Sequence, residues 1–398
     1  MEPTISTNGL QPPKWNHWLI GAASALVIAA SIVFIYWWTT QKPETTTSSN
    51  SADSDTTNQT SEQEDSTEED NSDTEEELDL EKLTDKEVAA YLVYWDQTAG
   101  FETIQTHHDL FTAVNPFWYT LDATGELILF ENAEDTPIVD YCHTKGIVVL
   151  PVISNEQSAE TVQAIIHNPT TRATHIENIV NTVIAQGYDG IEIDYENLAR
   201  TDRSDYSKFI TDLAVALHAE NKLLATALHA KTSAEGTWGG PAAQDWVAIG
   251  SVADSIKIMT YDYHWSTSVA GDIAPLSWME DVYDYAVTVI PPEKIQIGIH
   301  LYAYDWVGQQ ADYMNYTELL GLVAQYNPTI RTSSAQEKYF TYREGNSTHT
   351  VYFSDASVVA PRAAYSLEYN TGGLAFWSLG NEDPATWDTV ITSLTSED

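Results

Sequence analysis

Eight short apolar runs punctuate the chain from Val88 onward, each separated from the next by polar or helix-patterned sequence, and this alternation restricts the fold more than any other feature. The runs occupy residues 88–94, 113–119, 146–153, 190–195, 223–228, 255–260, 294–301 and 373–377. Helical spacing fills the gaps. In 172–186 the residues Ile176, Ile179, Val180, Val183 and Ile184 form one stripe, and in 204–220 Tyr206, Phe209, Ile210, Leu213 and Leu217 form another. Strands that alternate with helices build parallel sheets, and eight repeats suit a closed α/β barrel, the (β/α)8 TIM barrel, better than an open doubly wound sheet. The stretch 313–362 is too long for a single crossover. Its pattern predicts a helix over 317–326, a hairpin over 339–353 and a helix over 357–369, which together read as an insertion that leaves the barrel intact.

The sequence before Val88 is of another kind. Residues 18–38 are uncharged and apolar, about the length that crosses a bilayer as a helix, with Trp15 and Trp18 at one end and Tyr36, Trp37 and Trp38 at the other. Those aromatic residues stand where a signal peptide would carry a small-residue cleavage site, so an uncleaved anchor is expected. Residues 39–86 are rich in Ser, Thr, Asp and Glu and read as a disordered acidic tether. The organisation expected is a short cytoplasmic segment (1–17), a transmembrane anchor (18–38), the linker (39–86) and a catalytic barrel (87–398) on the outer side of the membrane. The net charge of −42 excludes nucleic acid as a partner. From Val88 onward 41 acidic residues face 13 basic ones, leaving about −28 on the folded part, an excess that favours a soluble monomer. Cys142 is the single cysteine, so there is no disulfide framework and no CxxC site. His107 and His108 lack a third ligand at matching spacing, and no metal or cofactor is expected.

The fourth run carries the chemistry. From Gly190 to Glu196 acidic and apolar residues alternate, so the two-residue period of a strand puts Glu192, Asp194 and Glu196 on one face and Ile191, Ile193 and Tyr195 on the other. Three carboxylates in one column repel, and crowding drives their proton affinities apart. Barrel enzymes build their sites at the carboxyl ends of the strands. Glu196 lies at that end and is the natural proton donor to a glycosidic oxygen, with Asp194 behind it raising its proton affinity. Other runs end in rings suited to stacking on sugars: Tyr94-Trp95, Phe117-Trp118-Tyr119, Tyr261-Asp262-Tyr263, Tyr302 to Trp306, and Trp377.

The run Asp189-Gly190-Ile191-Glu192-Ile193-Asp194-Tyr195-Glu196 resembles the DGxDxDxE motif of family 18 glycoside hydrolases, the chitinases and related N-acetylglucosaminidases. Met259-Thr260-Tyr261-Asp262 resembles that family's MxYD motif, and Gly373-Leu374-Ala375-Phe376-Trp377 its last strand. The flanking text is most similar to the bacterial branch of spore-germination and cell-wall-lytic enzymes. What the resemblance implies is a retaining hydrolase of β-1,4-linked N-acetylglucosamine polymers, chitin or the glycan of a cell wall, in which the sugar's own acetamido group is the nucleophile. Glu196 would then be the acid and later the base. Asp194 would hold the acetamido N–H, Tyr261 its oxygen, and Asp262 would help to orient it. Trp377 would form the floor under the sugar, with Met259, Trp118 and Tyr304 lining the substrate site. Glu192 stands where the motif has Asp, a departure that leaves its place in the proton relay open. The alternative is a sugar-binding barrel that has lost turnover; the presence of Glu196 argues against it.

Overall fold

The computed structural model describes residues 86–156 and 158–395. The expected anchor and the linker up to residue 85 lie outside the described residues. Every apolar run becomes a barrel strand: β1 (Glu87–Val93), β2 (Ala113–Leu121), β3 (Val148–Val149, resumed as Val152–Ser154), β4 (Gly190–Asp194), β5 (Leu223–His229), β6 (Ser255–Met259), β7 (Ile295–His300) and β8 (Gly373–Trp377). Each pairs in parallel with its successor, and β8 pairs with β1, which closes the barrel. Where β3 breaks, Pro151 has no N–H to give to a ladder. Gly190 enters β4 so close to β5 that a Cβ there would lie 2.1 Å from the Leu223 carbonyl oxygen. Only glycine fits that approach.

The period of two sorts the strand residues into two cores. Outward-facing Ile191, Ile193, Ile256, Ile258, Ile295, Ile297 and Ile299 pack under the helices in the larger cluster. Ala89, Tyr91, Val93, Ala113, Phe117, Val152 and Ala375 fill the barrel itself, the alanines leaving room for the two rings. The helix Arg203–Ala219 buries all five residues of its predicted stripe. In the helix Pro169–Gln186 the buried line is Arg172, His175, Ile179 and Val183, while Ile184 is exposed. A polar residue displaces the predicted face because His175 is satisfied inside, with its ring nitrogens 2.8 Å from the Gly125 carbonyl and 2.6 Å from the Tyr195 hydroxyl. Cys142 is fully buried, as its solitary position suggests.

The insertion is shifted from its sequence pattern: the last helix expected in it, Ala356–Glu368, buries Val359 and Ala363 in the barrel's outer core and is a barrel helix. The insertion begins at Ala303 with strand Ala303–Val307, so the residues Tyr302 to Trp306 open it instead of simply ending β7. That strand joins Gln310–Met314, Ser347–Phe353, Lys338–Glu344 and Arg331–Thr332 in an antiparallel five-stranded sheet. The helix Tyr316–Tyr326, capped by reciprocal bonds between Asn315 and Glu318, packs through Leu319 onto the insertion's own core of Met314, Phe340, Val351 and Phe353.

Candidate active site

Glu192 occupies the middle of the barrel and is completely buried. The Tyr91 hydroxyl donates to one of its oxygens at 2.5 Å, the Asn115 amide donates to the other at 2.5 Å, and the Lys257 ammonium lies 3.0 Å from that second oxygen. These donors give it a fixed, charge-compensated place. The departure from Asp therefore buys reach: the longer side chain meets a buried lysine from the strand beyond β5.

Asp194, one step up the same face, has no such support. It is 5% exposed, and its Oδ1 has no hydrogen-bond partner among the described residues. Burial holds its carboxyl well above the usual carboxylate range, with the charges of Glu196 and Glu192 adding to the effect. Glu196 emerges at the mouth, its carboxyl pushed up to about 7 by burial and then by the charge of Asp262. Its backbone is clamped by Asn155 at the end of β3, which donates to the Glu196 carbonyl and accepts from the Glu196 N–H, both at 2.9 Å. His229 Nε2 stands 3.6 Å from Glu196 Oε2, and burial pulls that imidazole down to about 4, so it faces the acid as a neutral ring.

The loop after β6 brings the second part. Tyr261 is half-buried, and burial followed by the charges of Asp194, Asp262, Glu196 and Glu192 keeps its phenol protonated. Asp262 adopts a left-handed backbone (φ 57°), which turns its carboxylate toward the insertion. The Tyr302 hydroxyl donates to one oxygen and the Tyr304 hydroxyl, at 3.5 Å, to the other. Asp262 keeps an exposed edge, yet the dehydrating walls of the cleft raise its proton affinity, against the pull of these two donors. Trp377 ends β8 half-buried, edge-on to Tyr91 (5.0 Å between ring centres) and to Phe117 (5.5 Å), and the Trp377–Ser378 peptide is cis. Met259 ends β6 in register with His229.

One expected substrate residue is elsewhere. Trp118 is fully buried and donates its indole N–H to Gln97 at 2.7 Å, between barrel and helices. Inward positions on β2 are Ala113, Asn115 and Phe117, so the alternation turns Trp118 outward and gives the mouth Phe117 instead. Trp118→Ala should therefore cost about 3–5 kcal/mol in denaturant unfolding with KM for a sugar oligomer unchanged. Phe117→Ala should raise KM. Tyr304 is also nearly buried, and it reaches the site through Asp262. Asp189 sits at the opposite end of β4, where it accepts from Val149 N–H and contacts His143, a structural position. Sequence reasoning missed Tyr91, Asn115, Asn155 and Lys257, and named Tyr302 only as a ring for stacking, not as a donor to Asp262. A signal existed for Lys257, a charged residue between two isoleucines inside an apolar strand.

An acid that must hold its proton to work loses activity as pH rises through its proton affinity. The alkaline limb of kcat/KM should fall near pH 7, a value belonging to the interacting carboxylates as a group. Asp262→Asn removes a negative charge near Glu196, makes its ionised form easier to reach and should move the limb to lower pH.

Carboxylates of raised proton affinity at the mouth of a barrel, beside an aromatic side chain at a strand end, suit a glycosidase. The family model described as "Glycosyl hydrolases family 18" matches residues 87–382. The chain belongs to that family. It is 28% identical over 300 residues to a cortical fragment-lytic enzyme of Bacillus anthracis, covering 71% of this chain and 70% of that protein. Among solved structures it resembles a chitinase from Chromobacterium violaceum (TM-score 0.73, 28% identity, 78% of this chain and 100% of that one). It also resembles the Bacillus cereus spore cortex-lytic enzyme SleL (TM-score 0.70, 27% identity, 78% of this chain and 74% of that one).

Proposed function

We propose that the barrel cleaves β-1,4-linked N-acetylglucosamine polymers, of chitin or of peptidoglycan, with retention and with the substrate's acetamido group as nucleophile. The observation that carries this reading is the buried carboxyl oxygen of Asp194, beside Glu196, that has no hydrogen-bond partner among the described residues. Such an oxygen is open to an acetamido group, and Tyr261 lies close enough for the Asp194 charge to act on it, which supports this reading. Glu196 donates its proton to the leaving glycosidic oxygen while the acetamido oxygen closes on the anomeric carbon. The resulting oxazolinium ion is opened by water, from which Glu196 takes a proton back. Membership of family 18 supports this route. Relatives named for spore cortex and for chitin support the two candidate polymers equally.

Product analysis on chitin oligomers and purified peptidoglycan side by side tests the reading. Cleavage should fail on fully N-deacetylated oligomers, which lack the nucleophile; equal cleavage with and without the acetyl groups sinks the mechanism, and inertness on both acetylated polymers sinks the activity. From residues 18–38 we further propose a single-pass membrane anchor with the barrel outside the cell. Protease treatment of intact cells should release the barrel, and protection would overturn that orientation.

A further inference from the structure

The loop 260–274, which carries Tyr261 and Asp262, is held along its length by the insertion and, at its far end, by a buried arginine of the barrel helix Ala356–Glu368. Near its start Asp262 accepts from Tyr302 and Tyr304. In its middle the Trp265 carbonyl accepts from the Trp306 indole at 3.3 Å, and the Ser266 carbonyl accepts from the Ala311 N–H at 2.7 Å. Its far end is fixed most firmly. The carboxylate of Glu337, which has no solvent exposure, accepts from the Ile273 N–H at 2.6 Å and the Ala274 N–H at 2.5 Å. Arg362, equally buried, donates to the Ala274 carbonyl at 2.6 Å and to Glu337 at 3.2 Å. Ser333 donates to Asp272 beside them. The Ile273 carbonyl in turn accepts from the Tyr263 N–H at 2.8 Å, so the fixed far end holds the residue next to Asp262. Ile273 itself is packed with Tyr302, Tyr304 and Trp306.

A buried ion pair is expensive unless every lone pair and proton is used, and this one spends its bonds on two consecutive backbone groups of a single loop. A salt bridge that merely joined the insertion to the barrel would not need that geometry. We propose that Glu337, from the insertion, and Arg362, from the barrel helix Ala356–Glu368, are positioning residues for the glycosidase reaction, holding the Tyr261–Asp262 arm through the backbone of Ile273 and Ala274. This rests on the reaction proposed above. Without the grip of these two side chains the arm relaxes, and the acetamido oxygen is no longer held in line with the anomeric carbon.

Glu337→Gln tests it, because an amide presents N–H to one of two backbone N–H groups that both need an acceptor. On N-acetylglucosamine oligomers kcat should fall about 10- to 100-fold with KM changed far less, the signature of lost alignment. Amide hydrogen exchange over 260–274 should speed up, a readout independent of substrate. Leu319→Ala, in the insertion's own core and away from the loop, should lower Tm and leave kcat as it is. Arg362→Lys, which keeps the charge, should lose several-fold less kcat than Arg362→Gln. If wild type is inert, the reaction proposed above fails, and exchange alone then decides the anchoring, with unchanged protection overturning it. If wild type is active and folded Glu337→Gln keeps its kcat, the positioning role is overturned. Should Glu337→Gln fail to fold, the two Arg362 variants decide, and equal kcat in both overturns it.

Discussion

Glu196→Gln should reduce release of reducing sugar from N-acetylglucosamine oligomers by about 10²–10⁴-fold, the range typical of a lost general acid, while oligomer binding survives. The substitution keeps shape and hydrogen-bonding reach at the mouth of the barrel and removes only the transferable proton. The backbone clamp from Asn155 is untouched, since it uses the Glu196 N–H and carbonyl. Activity and binding are therefore expected to separate, and titration of the variant with an oligomer should give a Kd close to the wild-type value. A sugar-binding barrel without turnover predicts the opposite pattern: wild type and variant equally inert, equally tight.

Lys257→Met should cost about 3–5 kcal/mol in unfolding free energy, because it leaves Glu192 as a buried carboxylate with only neutral donors. The two groups are 1% and 0% exposed and 3.0 Å apart, so water cannot take over the lost charge. Adding Glu192→Gln to Lys257→Met should recover most of the loss: the amide oxygen still accepts from Tyr91 or Asn115, and no net charge remains inside. Denaturant midpoints for wild type, both single variants and the double variant form the cycle. A double variant no more stable than Lys257→Met would show that the cost lies in packing of the lysine stem.

Much of the site was legible because it is local. The alternation in Gly190–Asp194 places Glu192 and Asp194 on one inward face, and no distant residue alters which way a strand side chain points. The position of Glu196 just past the strand end follows from the same count. Parity also explains the error at β2. Phe117, Trp118 and Tyr119 look alike as a cluster of rings, but the strand turns Trp118 away from Phe117, and the register shifts between Phe117 and Tyr119, so Tyr119 ends against Tyr188 in the outer core. Composition at a strand end says that rings are present; the register says which of them sees substrate.

By itself the sequence determined the number and order of the barrel strands, the inward file of carboxylates, and the carboxylate that stands at the mouth, Glu196. These depend on spacing between near neighbours, which a linear pattern contains in full. Only the tertiary structure decided the partners: that Glu192 is held by Asn115 from 77 positions away and by Lys257 from the strand beyond β5, and that the Tyr261–Asp262 arm is gripped by Glu337 from the insertion and Arg362 from a barrel helix. Such contacts bring together side chains from separate strands and loops. Their energies depend on burial and exact distance, quantities that exist only once the chain has closed on itself.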